Sequence, residues 1–176
     1  MDIGVGAGRV ALFLQSMGHE VVGIDVSDTV LEVSRLRGVR RLVRMSACDL
    51  PFPKNSFDTA IAFCNNFGLC GSMEGVQGML ERLHGIVTKD GLFLASSIQP
   101  RRTKQKAHLR YHKMNLDRGR PPGQVTLRQL YRGRKGEWWD LLMVTHAEMR
   151  QLCEKTQWRI ERTYRGEMDV HVLRKV

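Results

Sequence analysis

The sequence predicts an α/β fold in which helices cover both faces of a mostly parallel sheet, forming a three-layer sandwich. Three observations carry this prediction. Short apolar runs alternate with helix-length segments through residues 1–98, which is typical of βαβ units. Two apolar segments close the chain and predict an antiparallel strand pair at the sheet edge. Between these parts lies a basic, Pro- and Gly-punctuated insertion that follows the fifth predicted strand.

The first half of the chain shows clear element boundaries. Gly18 and Gly38 follow apolar segments with helical spacing and are typical helix stops, and Ser27 is a suitable N-cap for the second helix. The run VVGIDV has the length and composition of a buried strand. We predict strands over 1–5, 20–26, 42–47, 57–63 and 91–97, helices over 10–17, 27–37 and 73–87, and a loop over 49–56.

The second half is less regular. No element is assigned over 99–123. The segments 124–131 and 137–144 alternate in polarity and flank Gly133 and Gly136, which predicts a hairpin. Thr145 and Glu148 have capping-box spacing at the start of a helix over 145–156. Strands over 158–164 and 169–176 complete the chain.

Length and composition limit the class of protein. The chain has 176 residues, of which 42% are hydrophobic and 26% charged, as in one ordinary globular domain. No apolar run reaches the length of a membrane helix and no signal peptide is visible, so we expect a cytoplasmic protein without a membrane partner. The four cysteines contain no C-x-x-C pair, so we expect reduced thiols and no metal site.

The net charge of +10 is concentrated in one segment. Residues 101–135 contain twelve Lys and Arg and a single acid, Asp117. A patch of this kind suits a nucleic acid, an acidic surface or an acceptor that bears phosphate or carboxylate. A solvent-exposed basic segment without a ligand is the alternative.

The strongest local motif is the glycine loop DIGVGAG at residues 2–8. Glycines let a ligand approach the backbone, and the following helix N-terminus offers free N–H groups. Asp25 ends the second strand, where a carboxylate binds a ribose diol in nucleotide-binding folds. The spacing Gly6-x-Gly8-x-x-Ala11 also satisfies a dinucleotide fingerprint, so a nicotinamide or flavin enzyme is an alternative.

Four motifs in order resemble the class I S-adenosylmethionine-dependent methyltransferases, with a type 11-like domain. They are DIGVGAG at 2–8, VVGIDVS at 21–27, ACDLPFPKNSFDTAIA at 47–62 and VTKDGLFLASS at 87–97. The resemblance covers residues 2–98 well and the final helix and strands in outline. It implies a Rossmann-like fold with a seven-stranded sheet whose last strand is reversed, and S-adenosyl-L-methionine as cofactor.

The resemblance also implies roles for individual residues. The glycines would face the methionine part of the cofactor, with Asp2 orienting the loop and the ammonium group. Asp25 would bind the ribose, Val26 the adenine face, and Asp49 with the Leu50 N–H the adenine edge. Residues after strand four would line the methyl-transfer position. The implied cofactor-binding set is Asp2, Gly4, Gly6, Gly8, Asp25, Val26, Asp49, Leu50, Cys64 and Asn65.

No catalytic residue is assigned, because methyl transfer depends mainly on holding two reactants in line. The segment CNNFGL lacks the Asn/Asp-Pro-Pro-aromatic motif of enzymes that methylate nucleobase or glutamine amino groups. Asn66, Tyr111 and His112 are candidate substrate-binding residues, and His112, His108 and Tyr111 are weak catalytic candidates. Alternation places Trp138 and Trp139 on opposite faces of the hairpin.

We therefore expect methyl transfer to an unidentified small or medium-sized acceptor, and the basic segment favours an anionic one. The alternatives are an RNA methyltransferase that uses this segment and a non-catalytic cofactor-binding remnant. The organisation expected is a cofactor-binding half over 1–98, a substrate-facing insertion over 99–136 and a completing segment over 137–176. Members of the family carry residues before the first motif, so we also expect a cofactor pocket open on one side.

Overall fold

A computed structural model describes residues 1–176. The strands and helices lie close to the predicted positions. In chain order they are β1 (Asp2–Ile3), α1 (Arg9–Ser16), β2 (Val22–Asp25), α2 (Asp28–Leu36), β3 (Arg41–Arg44), β4 (Phe57–Ala62), α3 (Met73–Ile86), β5 (Val87–Ile98), α4 (Lys106–Asp117), β6 (Gln124–Leu127), β7 (Leu130–Tyr131), β8 (Arg134–Lys135), β9 (Trp139–Leu142), α5 (His146–Lys155), β10 (Trp158–Tyr164) and β11 (Met168–Lys175).

Seven strands form one sheet in the order β10-β11-β5-β4-β1-β2-β3. The five strands from β3 to β5 are parallel, whereas β11 is antiparallel to both β5 and β10. The Rossmann-like fold with an antiparallel terminal pair is therefore confirmed. In this order the carboxyl ends of β1, β2 and β4 meet at one edge, where open α/β sheets bind ligands.

The helix caps follow the sequence signals. The Ser27 hydroxyl accepts the Val30 N–H, and Thr145 and Glu148 form the predicted capping box of α5. One large apolar cluster fills the space between the sheet and helices α3 and α5, with Phe67 and Phe93 fully buried in it. No helix combines the length and apolar character needed to cross a bilayer.

The main differences from the prediction concern two strand boundaries and one unassigned stretch. Strand β3 ends at Arg44 because the chain turns over 46–49, where the Asp49 N–H donates to the Ser46 carbonyl. Strand β5 begins at Val87, directly after α3, because Val87 already pairs with Phe57 of β4, ahead of an irregular stretch after which regular pairing resumes at Leu92. The unassigned stretch 99–123 contains a 3₁₀ turn at Pro100–Arg102 and helix α4.

The hairpin prediction is confirmed with more detail. Strands β6 and β9 pair antiparallel, and β7 and β8 form a smaller pair at the tip. Gly68, in the 3₁₀ turn after β4, lies so close to the Leu142 carbonyl of β9 that a β-carbon would overlap it. The β6–β9 hairpin is thus packed directly against the carboxyl edge of the parallel sheet.

The expectation of four reduced cysteines is wrong for one pair. Cys48 and Cys70 are joined by a disulfide with their Cα atoms 5.6 Å apart, and Cys64 and Cys153 are free. The two partners are 22 residues apart and lie in turns that follow β3 and β4. Spacing in the sequence could not indicate this pairing, because the packing of the two turns creates it.

Candidate functional site

The glycine loop links β1 to α1 through three left-handed residues. Gly4, Gly6 and Gly8 have φ angles of 67°, 55° and 79°, a region that only glycine occupies freely. A β-carbon on Gly8 would lie 2.5 Å from side-chain atoms of Ser34 and Val39, so this glycine serves helix packing. At Gly6 a β-carbon would meet no atom closer than 4.0 Å. Gly6 is therefore the point where the loop is open to a ligand.

The carboxylate of Asp25 fixes this loop to the end of β2. Its Oδ2 accepts the Gly6 N–H at 3.2 Å and its Oδ1 accepts the Ser27 N–H at 3.1 Å. Each carboxylate oxygen has a second lone pair, so two further donors can still be bound. Val26 follows with 61% of its side chain exposed beside the same opening.

A cavity of about 1030 Å³ contains the open side of the loop and the ends of β2 and β3. Its opposite wall is formed by the turn after β4 and by residues of the β6–β9 hairpin between 129 and 140. No Lys, Arg or His lines this cavity, whereas three carboxylates do, those of Asp25, Glu137 and Asp140. The cavity therefore favours positively charged ligand groups, and the basic side chains of residues 101–135 lie outside it.

Asp2 lies behind the loop instead of in the cavity. It is 4% exposed, and burial raises its pKa to about 6, although the positive N-terminal amine opposes this. Leu50 is also buried, and Asp49 is exposed in the turn after β3, next to the cavity-lining Cys48. Of the cofactor-binding residues implied by the resemblance, Gly4, Gly6, Asp25 and Val26 line the cavity.

Asn66 positions the glycine loop from the other side. Its Nδ2 donates to the carbonyls of Ile3 and Gly4 at 2.8 and 2.9 Å. A β-carbon on Gly4 would overlap this amide nitrogen. Asn66, predicted to bind substrate, lines the cavity and also holds the end of β1 in place.

Asn65 is 2% exposed and lies in a polar network beneath the cavity. Its Oδ1 accepts the Ile98 N–H at 2.8 Å, and its own N–H donates to the Ser96 hydroxyl at 3.1 Å. Asn65 and Cys64 are both left-handed, with φ of 67° and 58°, a conformation that costs on the order of 1–3 kcal/mol for each residue. The buried hydrogen bonds of Asn65 hold this sharp turn at the end of β4.

The candidates His108, Tyr111 and His112 lie elsewhere, in a second cavity of about 630 Å³ between α4, β6 and the end of β5. The His108 ring lies 3.0 Å from the Thr103 hydroxyl, and the Tyr111 hydroxyl accepts the Thr126 N–H at 3.3 Å. Partial burial, and then the charge of His108, lower the pKa of His112. The two cavities share no lining residue.

A buried carboxylate lies behind this second cavity. Asp169 is 1% exposed and accepts hydrogen bonds from Arg102 at 2.9 Å and His146 at 2.7 Å. Burial by itself would raise its pKa, but these two hydrogen bonds, a third from the Gly166 N–H and the charge of Arg102 together hold the pKa of Asp169 below its ordinary value. Arg102 and His146 therefore connect β11 with the 3₁₀ turn and with α5.

The sequence did not indicate which hairpin residues line the first cavity. Glu137, Trp139 and Asp140 line it, and the Thr126 hydroxyl donates to Asp140 Oδ1 at 2.5 Å. Trp138 does not line the cavity; it is 61% exposed, and the Arg128 guanidinium lies 4.6 Å from its ring centre. The alternation of the two tryptophans was the available signal, but the face directed at the sheet depends on how the hairpin packs.

Comparison with known proteins places this arrangement among methyltransferases. A family model described as a methyltransferase domain matches residues 1–95. Demethylmenaquinone methyltransferase of Clavibacter sepedonicus is 38% identical over 87 residues, which are 47% of this chain and 34% of the relative. The chain spans only 33–40% of the length of the curated relatives it matches.

Solved structures show the same fold over nearly the whole chain. A S-adenosylmethionine-dependent methyltransferase from Methanosarcina mazei superposes with a TM-score of 0.80 at 18% identity, covering 99% of this chain and 91% of that one. A S-adenosylmethionine-dependent methyltransferase from Bacteroides fragilis, in complex with S-adenosyl-L-homocysteine, superposes with a TM-score of 0.79 at 23% identity. The superposition covers 99% of this chain and 71% of that one.

Proposed function

The chain belongs to the methyltransferase domain family, and from this premise we propose that it uses S-adenosylmethionine to methylate a small or medium-sized acceptor. The observation that carries the proposal is the cavity of about 1030 Å³, which has the glycine loop and Asp25 on one wall and the β6–β9 hairpin on the other. Its volume lies at the upper end of the roughly 300–1,000 Å³ of small-molecule sites, which suits a cofactor and a small acceptor side by side.

The residues present fit this cofactor. The open side of Gly6 accommodates the methionine part, and the free lone pairs of Asp25 can accept two ribose hydroxyls. The exposed Val26 offers an apolar surface to adenine. The three carboxylates and the absence of basic groups in the cavity suit the positive charges of the sulfonium and ammonium groups. When bound, S-adenosylmethionine supplies an electrophilic methyl group.

The chain's own contribution is position. Asn66 and Asp25 hold the end of β1 and the loop from two sides through three hydrogen bonds, and the buried Asn65 network fixes the turn after β4. The acceptor then lies between this turn and the wall formed by Trp139 and Asp140. Holding the reactants in line accounts for most of the acceleration such a reaction needs, and Asp140 is placed to accept a hydrogen bond from an acceptor N–H or O–H.

The comparisons give no support to the alternatives of RNA methylation, a non-catalytic remnant or a nicotinamide enzyme. In the structure, the basic side chains of residues 101–135 line no part of the cofactor cavity. A small acceptor enclosed by Trp139 and Asp140 needs no contact with them. The cavity therefore favours a neutral or cationic acceptor over the anionic one that the charge of the insertion suggests.

The test is calorimetric titration with S-adenosylmethionine, S-adenosylhomocysteine and NAD. We expect both sulfur compounds to bind and NAD not to bind. Asp25→Ala should raise the Kd of both sulfur compounds by at least about tenfold, since two charge-assisted hydrogen bonds to the ribose are lost. Asp117→Ala, an exposed acid at the end of α4, is the matched control and should bind normally. Binding of NAD alone would refute the proposal.

A turnover assay then tests the reaction itself. Candidate amine and hydroxyl acceptors are mixed with S-adenosylmethionine, and release of S-adenosylhomocysteine is followed together with the mass of the acceptor. A gain of one methyl group on a small acceptor is the expected result. Cofactor binding without turnover on any acceptor, or methylation of RNA alone, would contradict the small-acceptor assignment.

A further inference from the structure

We propose that the Cys48–Cys70 disulfide is a redox-controlled clamp on the cofactor cavity, and that its reduction weakens cofactor binding. Both cysteines line the cavity assigned above to S-adenosylmethionine. The inference rests on that cofactor assignment and does not depend on the identity of the acceptor.

The disulfide joins two turns on different sides of the cavity. Cys48 belongs to the turn after β3, in which its N–H donates to the Ser46 hydroxyl at 3.2 Å. Cys70 follows the 3₁₀ turn after β4, whose start carries Asn66. No hydrogen bond connects the two turns. Apart from apolar packing, the disulfide alone ties them together.

The disulfide fixes the distance between two parts of the cavity wall, one beside Asp25 and one beside Asn66. Ser46, Ala47 and Cys48 line the cavity next to the end of β2, where Asp25 lies, and Leu69 and Cys70 line it next to Asn66. With the bond intact, both turns are held at the spacing that shapes the cavity. After reduction the 46–49 turn keeps its internal hydrogen bonds and the packing of Ala47 in the core but loses its covalent link to the other turn, and a ligand must fix their spacing on binding. A preorganised site binds more tightly because this ordering cost is absent.

The pair is accessible to small redox compounds. Cys48 is exposed, and Cys70 is half-buried but faces the same open cavity. Cys153, by contrast, is 2% exposed, and burial raises the pKa of its thiol to about 12, so it is inert. Exposure and position thus distinguish the pair from the structural cysteine of the core.

The exchange is balanced with a low-molecular-weight disulfide such as oxidised glutathione as the oxidant. The thiolate of Cys48 attacks one sulfur of that disulfide, which forms a mixed disulfide and releases one small thiol. The thiolate of Cys70 then attacks Sγ of Cys48 and displaces the second small thiol. The two protons lost by the protein thiols are carried by the two released thiols, and the protein is oxidised by two electrons.

The experiment titrates S-adenosylhomocysteine calorimetrically into the full chain after treatment with oxidised glutathione and after treatment with dithiothreitol. Peptide mass mapping verifies the state of Cys48 and Cys70 in each sample. We expect reduction to raise Kd about tenfold, equivalent to about 1.4 kcal/mol. Cys70→Ser should show the weaker affinity under both treatments. Cys153→Ala is the control and should respond to reduction like the wild type.

Several outcomes would overturn the clamp. One is equal affinity in two samples whose disulfide states differ by mass mapping. Another is that no Cys48–Cys70 peptide forms with oxidised glutathione. Absence of S-adenosylhomocysteine binding in both states would overturn the clamp together with the cofactor assignment. Failure to find an acceptor, by contrast, would affect only the proposed reaction.

Discussion

Alanine at two glycines of the same loop should separate stability from cofactor binding. Gly4 and Gly6 share the left-handed conformation, with φ of 67° and 55°, so Gly4→Ala and Gly6→Ala introduce the same backbone strain. They differ in what the new methyl group meets. At Gly4 it overlaps the Asn66 amide, whereas at Gly6 it points into the open cavity.

The expected magnitudes follow from these contacts. An L-residue in the left-handed region costs about 1–2 kcal/mol, and both variants carry this cost. Gly4→Ala also displaces the Asn66 amide from its hydrogen bonds to Ile3 and Gly4, each contributing about 1 kcal/mol. Gly4→Ala should therefore lose about 3–4 kcal/mol of unfolding free energy and Gly6→Ala about 1–2 kcal/mol.

Urea unfolding followed by circular dichroism measures the stabilities, and calorimetric titration with S-adenosylhomocysteine measures the affinities. Gly6→Ala should lose more affinity than Gly4→Ala, since its methyl group occupies ligand space. Each variant is thus the control for the other. Equal stabilities, or an unchanged affinity of Gly6→Ala, would refute the assignment of Gly6 as the ligand-facing glycine and of Gly4 as the residue packed on Asn66.

Two further predictions concern the insertion and the sheet edge. Gly68→Ala should destabilise the fold by about 3 kcal/mol or more, because its methyl group overlaps the Leu142 carbonyl. Gly85→Ala, whose methyl group meets open space on α3, should stabilise the fold by about 0.5–1 kcal/mol. Thermal unfolding of the two variants checks this, and similar melting temperatures would contradict it. Because the pKa of Asp169 is lowered, this carboxylate stabilises the fold above its ordinary pKa of 3.8, and the contribution is lost as the pH falls through the lower folded-state pKa. The difference in unfolding free energy between wild type and Asp169→Asn, measured in urea from pH 7 to pH 2.5, should therefore shrink below about pH 4; a constant difference would disprove the role of the ion pair.

Much of the fold could be predicted because its signals are local. Ser27 and Thr145 were recognisable as N-caps from their own neighbours, and both cap as expected. Helix α4 was not predicted, since its residues carry six exposed or partly exposed polar and charged side chains and show no clear apolar periodicity. The position of α4 is set by the few side chains that pack against the rest of the insertion. The main one is Asn115, which is 1% exposed and donates to the carbonyls of Pro122 and Gln124.

The candidate site also contains residues whose positions could be predicted from the sequence and residues whose positions could not. Gly6 and Asp25 stand in short motifs whose geometry follows from a strand, a turn and a helix, so their meeting at the sheet edge could be expected from the sequence. His108, Tyr111 and His112 were expected beside them because they follow strand five, but helix α4 carries them into a separate cavity. A segment that follows a parallel strand begins at the carboxyl edge of the sheet. Its position in the sequence does not determine which cavity its side chains line.

By itself, the sequence determined the order of strands and helices outside residues 99–123, the ligand-binding edge of the sheet and the family of the chain, because hydrophobic periodicity, capping residues and the glycine loop act over a few residues. Only the tertiary structure decided that Cys48 meets Cys70, that Trp139 and Asp140 face the cofactor cavity, and that the basic side chains do not. These features depend on contacts between segments 22 to more than 100 residues apart. Such contacts form only when the insertion and the two turns pack on the completed sheet.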